Sequence, residues 1–173
     1  MALVVEDGTG KADANSYLSA EDATAYLTVY ATAGNLVTWT ASAAKDAALM
    51  VATQYLDNEF AGQWRGVRTN ETQALAWPRD GVEDDDGFGV DDDAVPQKLQ
   101  DACAELALRV VLGDSLHPVE TSPGAVQSES ITVGPVSKSK TYAGSRPTAG
   151  YGYPKVHALI RSLLQGGGRV FRA

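Results

Sequence analysis

Apolar residues in this chain recur mainly three and four positions apart, the spacing of one face of a helix. Four stretches show it. Residues 20–31 carry Ala23, Tyr26, Leu27 and Tyr30, and residues 41–57 carry Ala44, Ala48, Val51, Ala52, Tyr55 and Leu56. Residues 95–112 carry Leu99, Ala102, Cys103, Leu106 and Val110, and residues 155–164 carry Val156, Leu159, Ile160, Leu163 and Leu164. Local signals bound these stretches. Ser19 with Asp22 three residues on is an N-cap pair, and Gly34-Asn35 is expected to stop the first helix. Thr40 is expected to cap the second. Pro96 and Pro154 suit the first turns of the third and the last, and Gly113 suits the C-terminal end of the third. A short helical stretch at 70–76 should end at Trp77-Pro78, because a residue before proline avoids the α region. Ile131 and Val133, then Val136 past Gly134-Pro135, suggest a β-hairpin at about 126–142. The expected fold class is mainly α: a small helical domain of about four helices with a β-hairpin insertion and a flexible C-terminal tail. Residues 1–142 would form the domain. Residues 143–173 would hold a linker, the terminal helix and a basic tail.

At 173 residues the chain is long enough for one sizeable core without staples. No apolar run reaches the ~18 residues of a membrane span, so no membrane partner is expected. The first residues show neither a basic region nor a long apolar stretch, so no signal peptide is expected. Cys103 is the one cysteine, which excludes an internal disulfide framework and a cysteine-based zinc site. Charge is segregated. The net charge is −8, yet all seven charged residues after Glu129 are basic: Lys138, Lys140, Arg146, Lys155, Arg161, Arg169 and Arg172. The preceding part carries seven basic and 22 acidic residues. Such polarity suits two different partners or an assembly with direction, and disfavours a general nucleic-acid binder. Residues 80–93 are the acidic extreme, with Asp84, Asp85, Asp86, Asp91, Asp92 and Asp93, and read as an exposed mobile loop.

Catalytic patterns are partial at best. Gly8-Thr9-Gly10-Lys11 lacks the first glycine and the following Ser or Thr of a phosphate loop, and reads as a surface turn. Ser42-Ala43-Ala44-Lys45 has the Ser-x-x-Lys spacing without its companion motifs. Asp84, Asp86, Gly87 and Asp93 fall in an EF-hand register, but Val82 stands at its first ligand position and Asp at its last, so a solvated loop is the better reading. His117 and His157 have no partner at telling spacing, and Cys103 lies on an apolar stripe. No enzyme, metal site or cofactor is expected.

Several segments together resemble one family, the head–tail connector (adaptor, or head-completion) proteins of tailed bacteriophages. They are Asp7-Gly8-Thr9, Ala14-Asn15-Ser16-Tyr17, the isolated Trp39, and Ala52-Thr53-Gln54-Tyr55-Leu56-Asp57 followed by Phe60 and Gly62. The most specific is Gln73-Ala74-Leu75-Ala76-Trp77-Pro78-Arg79, and Val95-Pro96 with Ala102, Glu105 and Leu106 extends the match to about residue 112. Some relatives of this type carry a DnaT-like single-stranded-DNA-binding label. A base-stacking platform needs aromatics among cations, and Trp77 with Arg79 is the one tight pair before the C-terminal region.

The resemblance implies a structural virion protein: a helical domain with a small hairpin, arranged as a ring of typically twelve copies at the head–tail interface, assembled in the bacterial host cytoplasm. It implies the portal protein, a tail-side stopper or tail protein and further copies of itself as partners. Double-stranded DNA would pass through the channel without specific binding. An acidic lining would help DNA slide, so the 80–93 loop could line that channel, face the tail-side partner, or face solvent at the rim, the last being preferred. Arg169, Val170, Phe171 and Arg172, after Gly166-Gly167-Gly168, would dock on the portal, the alternative being a frayed terminus. Trp77-Pro78, with Leu106, reads as structural core rather than binding surface. The competing functions are a single-stranded-DNA-binding module using the basic C-terminal region and an enzyme with a divalent ion in the acidic loop.

Overall fold

The computed structural model describes residues 2–116, 128–133, 136–141 and 153–165. The fold is mainly helical. Among the described residues five α-helices run in the order α1 (Ala20–Tyr30), α2 (Ala33–Ala41), α3 (Lys45–Glu59), α4 (Gln97–Val111) and α5 (Pro154–Ile160), the last continued by a 3₁₀ turn, Arg161–Leu163. Two short antiparallel pairs join them: β1 (Val67–Arg68) with β2 (Arg79–Asp80), and β3 (Ser128–Val133) with β4 (Val136–Thr141). The chain divides into two compact units. One is residues 1–116 with 153–173, and the other is residues 117–152, which hold the β3–β4 hairpin in the register Ser128↔Thr141 through Val133↔Val136. The terminal helix thus belongs to the first unit. The expected docking residues 169–172 and most of the expected linker lie outside the described residues.

Local signals mark several helix ends. The Ser19 hydroxyl accepts from Asp22 N–H (3.1 Å) and donates to the Asp22 carboxylate (2.6 Å). Pro154 occupies the first turn of α5. Gly113 follows α4 at φ 92°, a left-handed conformation that closes a helix best with glycine. Pro96 lies one residue earlier than expected: it is the N-cap of α4, and its carbonyl accepts from Leu99 and Gln100.

The region 31–45 corrects the sequence reading. Gly34-Asn35 does not end a helix; it lies in the first turn of α2, which Thr32 caps through Asn35 N–H (3.4 Å). Thr40 is not a cap but an interior residue of α2, its hydroxyl donating back to Leu36 O (2.9 Å). Burial decides this. Trp39 projects from α2 into the core with no exposed surface, and its indole N–H donates to Thr24 Oγ1 (2.9 Å) on α1. That gain outweighs the cost of one glycine in a helix, ~1 kcal/mol. Helix α3 therefore starts at Lys45, and Ala44 and Val51, expected on its apolar face, are exposed.

The expected helix at 70–76 is also absent; those residues form turns between β1 and β2. Helix α4 differs in another way. Residues Ala102 through Leu108 are all buried, rather than one stripe. The helix is encircled, packing against α1, α2, α3 and α5, and Ala102, Ala104 and Ala107 leave room for close neighbours. Its one buried charge, Glu105, is met by Lys155 from α5 and by the Tyr26 hydroxyl of α1 (3.1 Å).

Trp77 and Leu106 are fully buried, and Pro78, joined to Trp77 by a cis peptide bond, is buried as well. Trp77 meets Trp64 edge-on (centroids 5.9 Å), and Trp64 meets Phe60 (5.6 Å). Trp77→Ala is expected to cost about 3–5 kcal/mol in urea denaturation, while Phe88→Ser, at a side chain 72% exposed, should change stability by under about 0.5 kcal/mol. Burial pushes the Cys103 thiol up to about 12, and its sulfur lies 3.4 Å from the Thr53 hydroxyl. At pH 8 the folded protein should therefore resist a thiol-reactive dye, with the dye consuming one equivalent only on unfolding. Rapid native labelling would contradict this burial.

Candidate functional site

The segments that carry the family resemblance come together in space, and the loop 57–79 shows how. Helix α3 ends near Asp57. This carboxylate accepts from the Tyr17 hydroxyl with one oxygen and from Ala76 N–H (3.0 Å) with the other. Tyr17 N–H donates in turn to the Thr53 hydroxyl (3.3 Å) of α3. Three of the quoted segments, 14–17, 52–57 and 73–79, are thereby joined. Gln73 is buried and satisfied on both sides: its amide N–H₂ donates to Leu75 O (2.8 Å) and Pro78 O (3.1 Å), and its oxygen accepts from Asn70 N–H (2.9 Å). Arg79 closes the loop by donating to Arg65 O (2.6 Å), Ala76 O (3.1 Å) and Gly66 O (2.7 Å). Beside this lock lies a cleft of about 460 Å³ lined by Asn15, Met50, Gln54, Asp57, Asn58 and Leu75 among others.

The Gly8-Thr9-Gly10-Lys11 turn is more than a surface feature. The carboxylate of Glu6, itself buried, accepts from the backbone N–H groups of Gly8 (2.9 Å), Gly10 (2.9 Å) and Lys11 (2.8 Å). The cradle of amides that would hold an anion is filled by the chain's own acid. Gly8 has φ 100°, and a Cβ there would stand 1.7 Å from Asp93 O, so this turn is pressed against the end of the acidic segment.

The acidic segment is more organised than its composition suggests. Val82 is buried, Val90 N–H donates to Val82 O (2.9 Å), and Asp84 N–H donates to Phe88 O (2.8 Å). The Asp84 carboxylate accepts from Asp86 and Phe88 N–H (both 2.9 Å), which holds its pKa below the ordinary value. Asp85 pairs with Arg65 (3.1 Å). Asp86, Asp91, Asp92 and Asp93 are exposed. The EF-hand spacing is thus a self-bonded turn, and among the described residues no group of three or more His, Cys, Asp or Glu side chains is placed to hold a metal ion.

The partners of several residues that shape these features cannot be read from the local sequence. Asp57 reaches Tyr17 40 positions away, Arg65 reaches Leu164 99 positions away and Arg79 reaches Arg65 14 positions away. His157 is half-buried, and burial with the nearby Arg161 lowers its pKa. Among the described residues no helix is long and apolar enough to cross a membrane.

Burial raises the pKa of Asp57 above its ordinary 3.8, although the bonds from Tyr17 and Ala76 oppose the rise. A carboxyl with a raised folded-state pKa binds its proton more tightly when folded. It therefore costs stability as pH rises from 3.8 through the raised value. Asp57→Ala leaves the buried Tyr17 hydroxyl and the half-buried Ala76 N–H without this acceptor and should cost about 2–4 kcal/mol at neutral pH. Asp57→Asn can still accept from Ala76 and should cost about 1 kcal/mol. Urea midpoints measured across pH should lose this decline in both variants; its persistence would assign it to another group.

No curated protein and no solved structure matches the chain. The family model described as "Putative DnaT-like ssDNA binding protein" matches residues 1–173, and the chain belongs to that family.

Proposed function

We propose that this protein is a structural connector of a phage virion, a ring-forming adaptor between portal and tail that extends the DNA channel and presents a docking surface to the next tail-side protein. The observation that carries the reading is where the aromatics lie. All three tryptophans are buried, Trp39 and Trp77 at 0% and Trp64 at 3% exposure, so none can stack on a base. Among the described residues the two most exposed aromatic rings, Phe88 and Tyr30, stand beside acids: Phe88 in the acidic segment and Tyr30 in a groove with Asp22 and Asp101. That surface repels phosphate. It suits a channel or rim past which double-stranded DNA moves without being gripped.

The motif segments support the same reading. Their chemistry is spent on packing: the side chains of Gln73 and Arg79 use their hydrogen bonds inside the loop, and Asp57 uses its own on Tyr17 and Ala76, rather than on a substrate. In this proposal the protein is not an enzyme and uses no cofactor. Arg169, Val170, Phe171 and Arg172 dock on the portal, and the virion's head–tail interface is its place of action after assembly in the host cytoplasm. Further copies of the chain and a tail-side protein complete its partners.

A second reading follows from the family's printed description: single-stranded DNA binding. It would rest on the basic C-terminal region, where Lys155 and Arg161 are exposed. Electron microscopy of the protein mixed with portal rings from the same genome separates the two. A collar at one end of the portal is expected, and deletion of residues 166–173 should abolish it while leaving the thermal transition unchanged. Absence of a collar at concentrations well above micromolar, together with tight single-strand binding that falls steeply with salt, would reverse the order of the readings.

A further inference from the structure

Arg65 stands where three segments distant in sequence meet. Its main chain lies in a short antiparallel ladder with the strap that follows α5. Arg65 N–H donates to Leu163 O (3.0 Å), Gln165 N–H donates to Gln63 O (2.7 Å), and Trp64 and Leu164 form a bridge between them. The Gln165 side-chain amide adds a bond to Trp64 O (3.0 Å). The Arg65 guanidinium then spans from strap to acidic segment. Its Nε donates to Leu164 O (2.9 Å), Nη1 to Glu83 O (2.7 Å) and Nη2 to Asp85 Oδ1 (3.1 Å). Two of these three acceptors are backbone carbonyls, so the contact depends on the shape of the fork as well as on charge. The Arg65 carbonyl accepts from Arg79, which anchors this crossing to the 57–79 loop.

We propose that Arg65 is a latch through which the strap Leu163–Gln165 sets the position of the acidic segment 82–90. The inference stands on these bonds and holds whether the protein serves a connector or a single-stranded-DNA-binding role. A partner that pulls on the chain just beyond Gln165 loosens the acidic segment. By reciprocity, a cation that takes Asp85 from Arg65 loosens the strap. The acidic surface is then conditional, differing between a chain whose C-terminal end is engaged and one whose end is free.

Hydrogen exchange on the full chain tests this. Gln165→Pro removes the N–H that bonds Gln63 and alters no residue of the acidic segment. It is expected to speed exchange at the amides of Asp84 and Val90 by about tenfold while the amides of α4 stay protected. In an Arg65→Ala background those two amides should already exchange fast, and Gln165→Pro should add nothing. Arg65→Lys keeps the charge without the fork and should uncouple strap from segment in the same way; it carries the test if Arg65→Ala also loses α4 protection. Unchanged exchange at Asp84 and Val90 in Gln165→Pro would overturn the latch, as would an equal acceleration with and without Arg65.

Discussion

The Asp57 carboxylate takes its two hydrogen bonds from residues far apart in the chain, the Tyr17 hydroxyl and the Ala76 N–H. Much of the first unit is arranged around that crossing. Tyr17 is almost wholly buried and brings the N-terminal segment onto α3, while Ala76 positions Trp77 for the aromatic cluster with Trp64 and Phe60. Burial alone would make a carboxylate here unfavourable, which is why its pKa rises. The two donors offset part of that cost and set direction: an apolar side chain could fill the space but could not specify which loop arrives. The lock is a device for uniqueness as much as for stability.

Glu105 plays a comparable part at the centre of the bundle. Between 102 and 108 the helix has no exposed residue to orient it, so apolar packing alone specifies its rotation weakly there. A single carboxylate that must meet Lys155 from one side and Tyr26 from another removes that freedom. Only Ala, Leu and Cys accompany it between 102 and 108, so it is the one charged group in that span, with the weaker Cys103–Thr53 contact beside it.

What was legible in the sequence was what depends on neighbours. Ser19 with Asp22, Pro154 and Gly113 act over one turn and mark helix ends correctly. Helix α2 was not legible, because Gly34-Asn35 reads as a stop until Trp39 is known to be buried between helices. The β1–β2 pair is only two residues per strand, too short for alternation to register, and what holds that loop together is the long-range bonding of Gln73 and Arg79. The all-round burial of α4 was disguised because Ala104, Glu105 and Ala107 do not read as apolar-face residues. For the acidic segment, composition correctly implied outward carboxylates at Asp91, Asp92 and Asp93. It did not reveal that Asp84 is spent on the backbone and Asp85 on Arg65, since both uses depend on a fold that composition does not encode.

That division of labour within one acidic stretch bears on how the surface works. If all its carboxylates were solvated and loose, their field would be screened and averaged over many conformations, falling away within about 8 Å at physiological salt. Here Asp84 and Asp85 tie the backbone down, Val82 anchors it in the core, and the close approach of Gly8 to Asp93 O clamps the far end. The remaining acids are therefore presented from a defined frame. A cationic partner meeting that frame loses less conformational freedom than it would on a mobile loop, while a phosphate backbone meets a fixed repulsive face. The same organisation that engages two acids in holding the segment makes the others more discriminating.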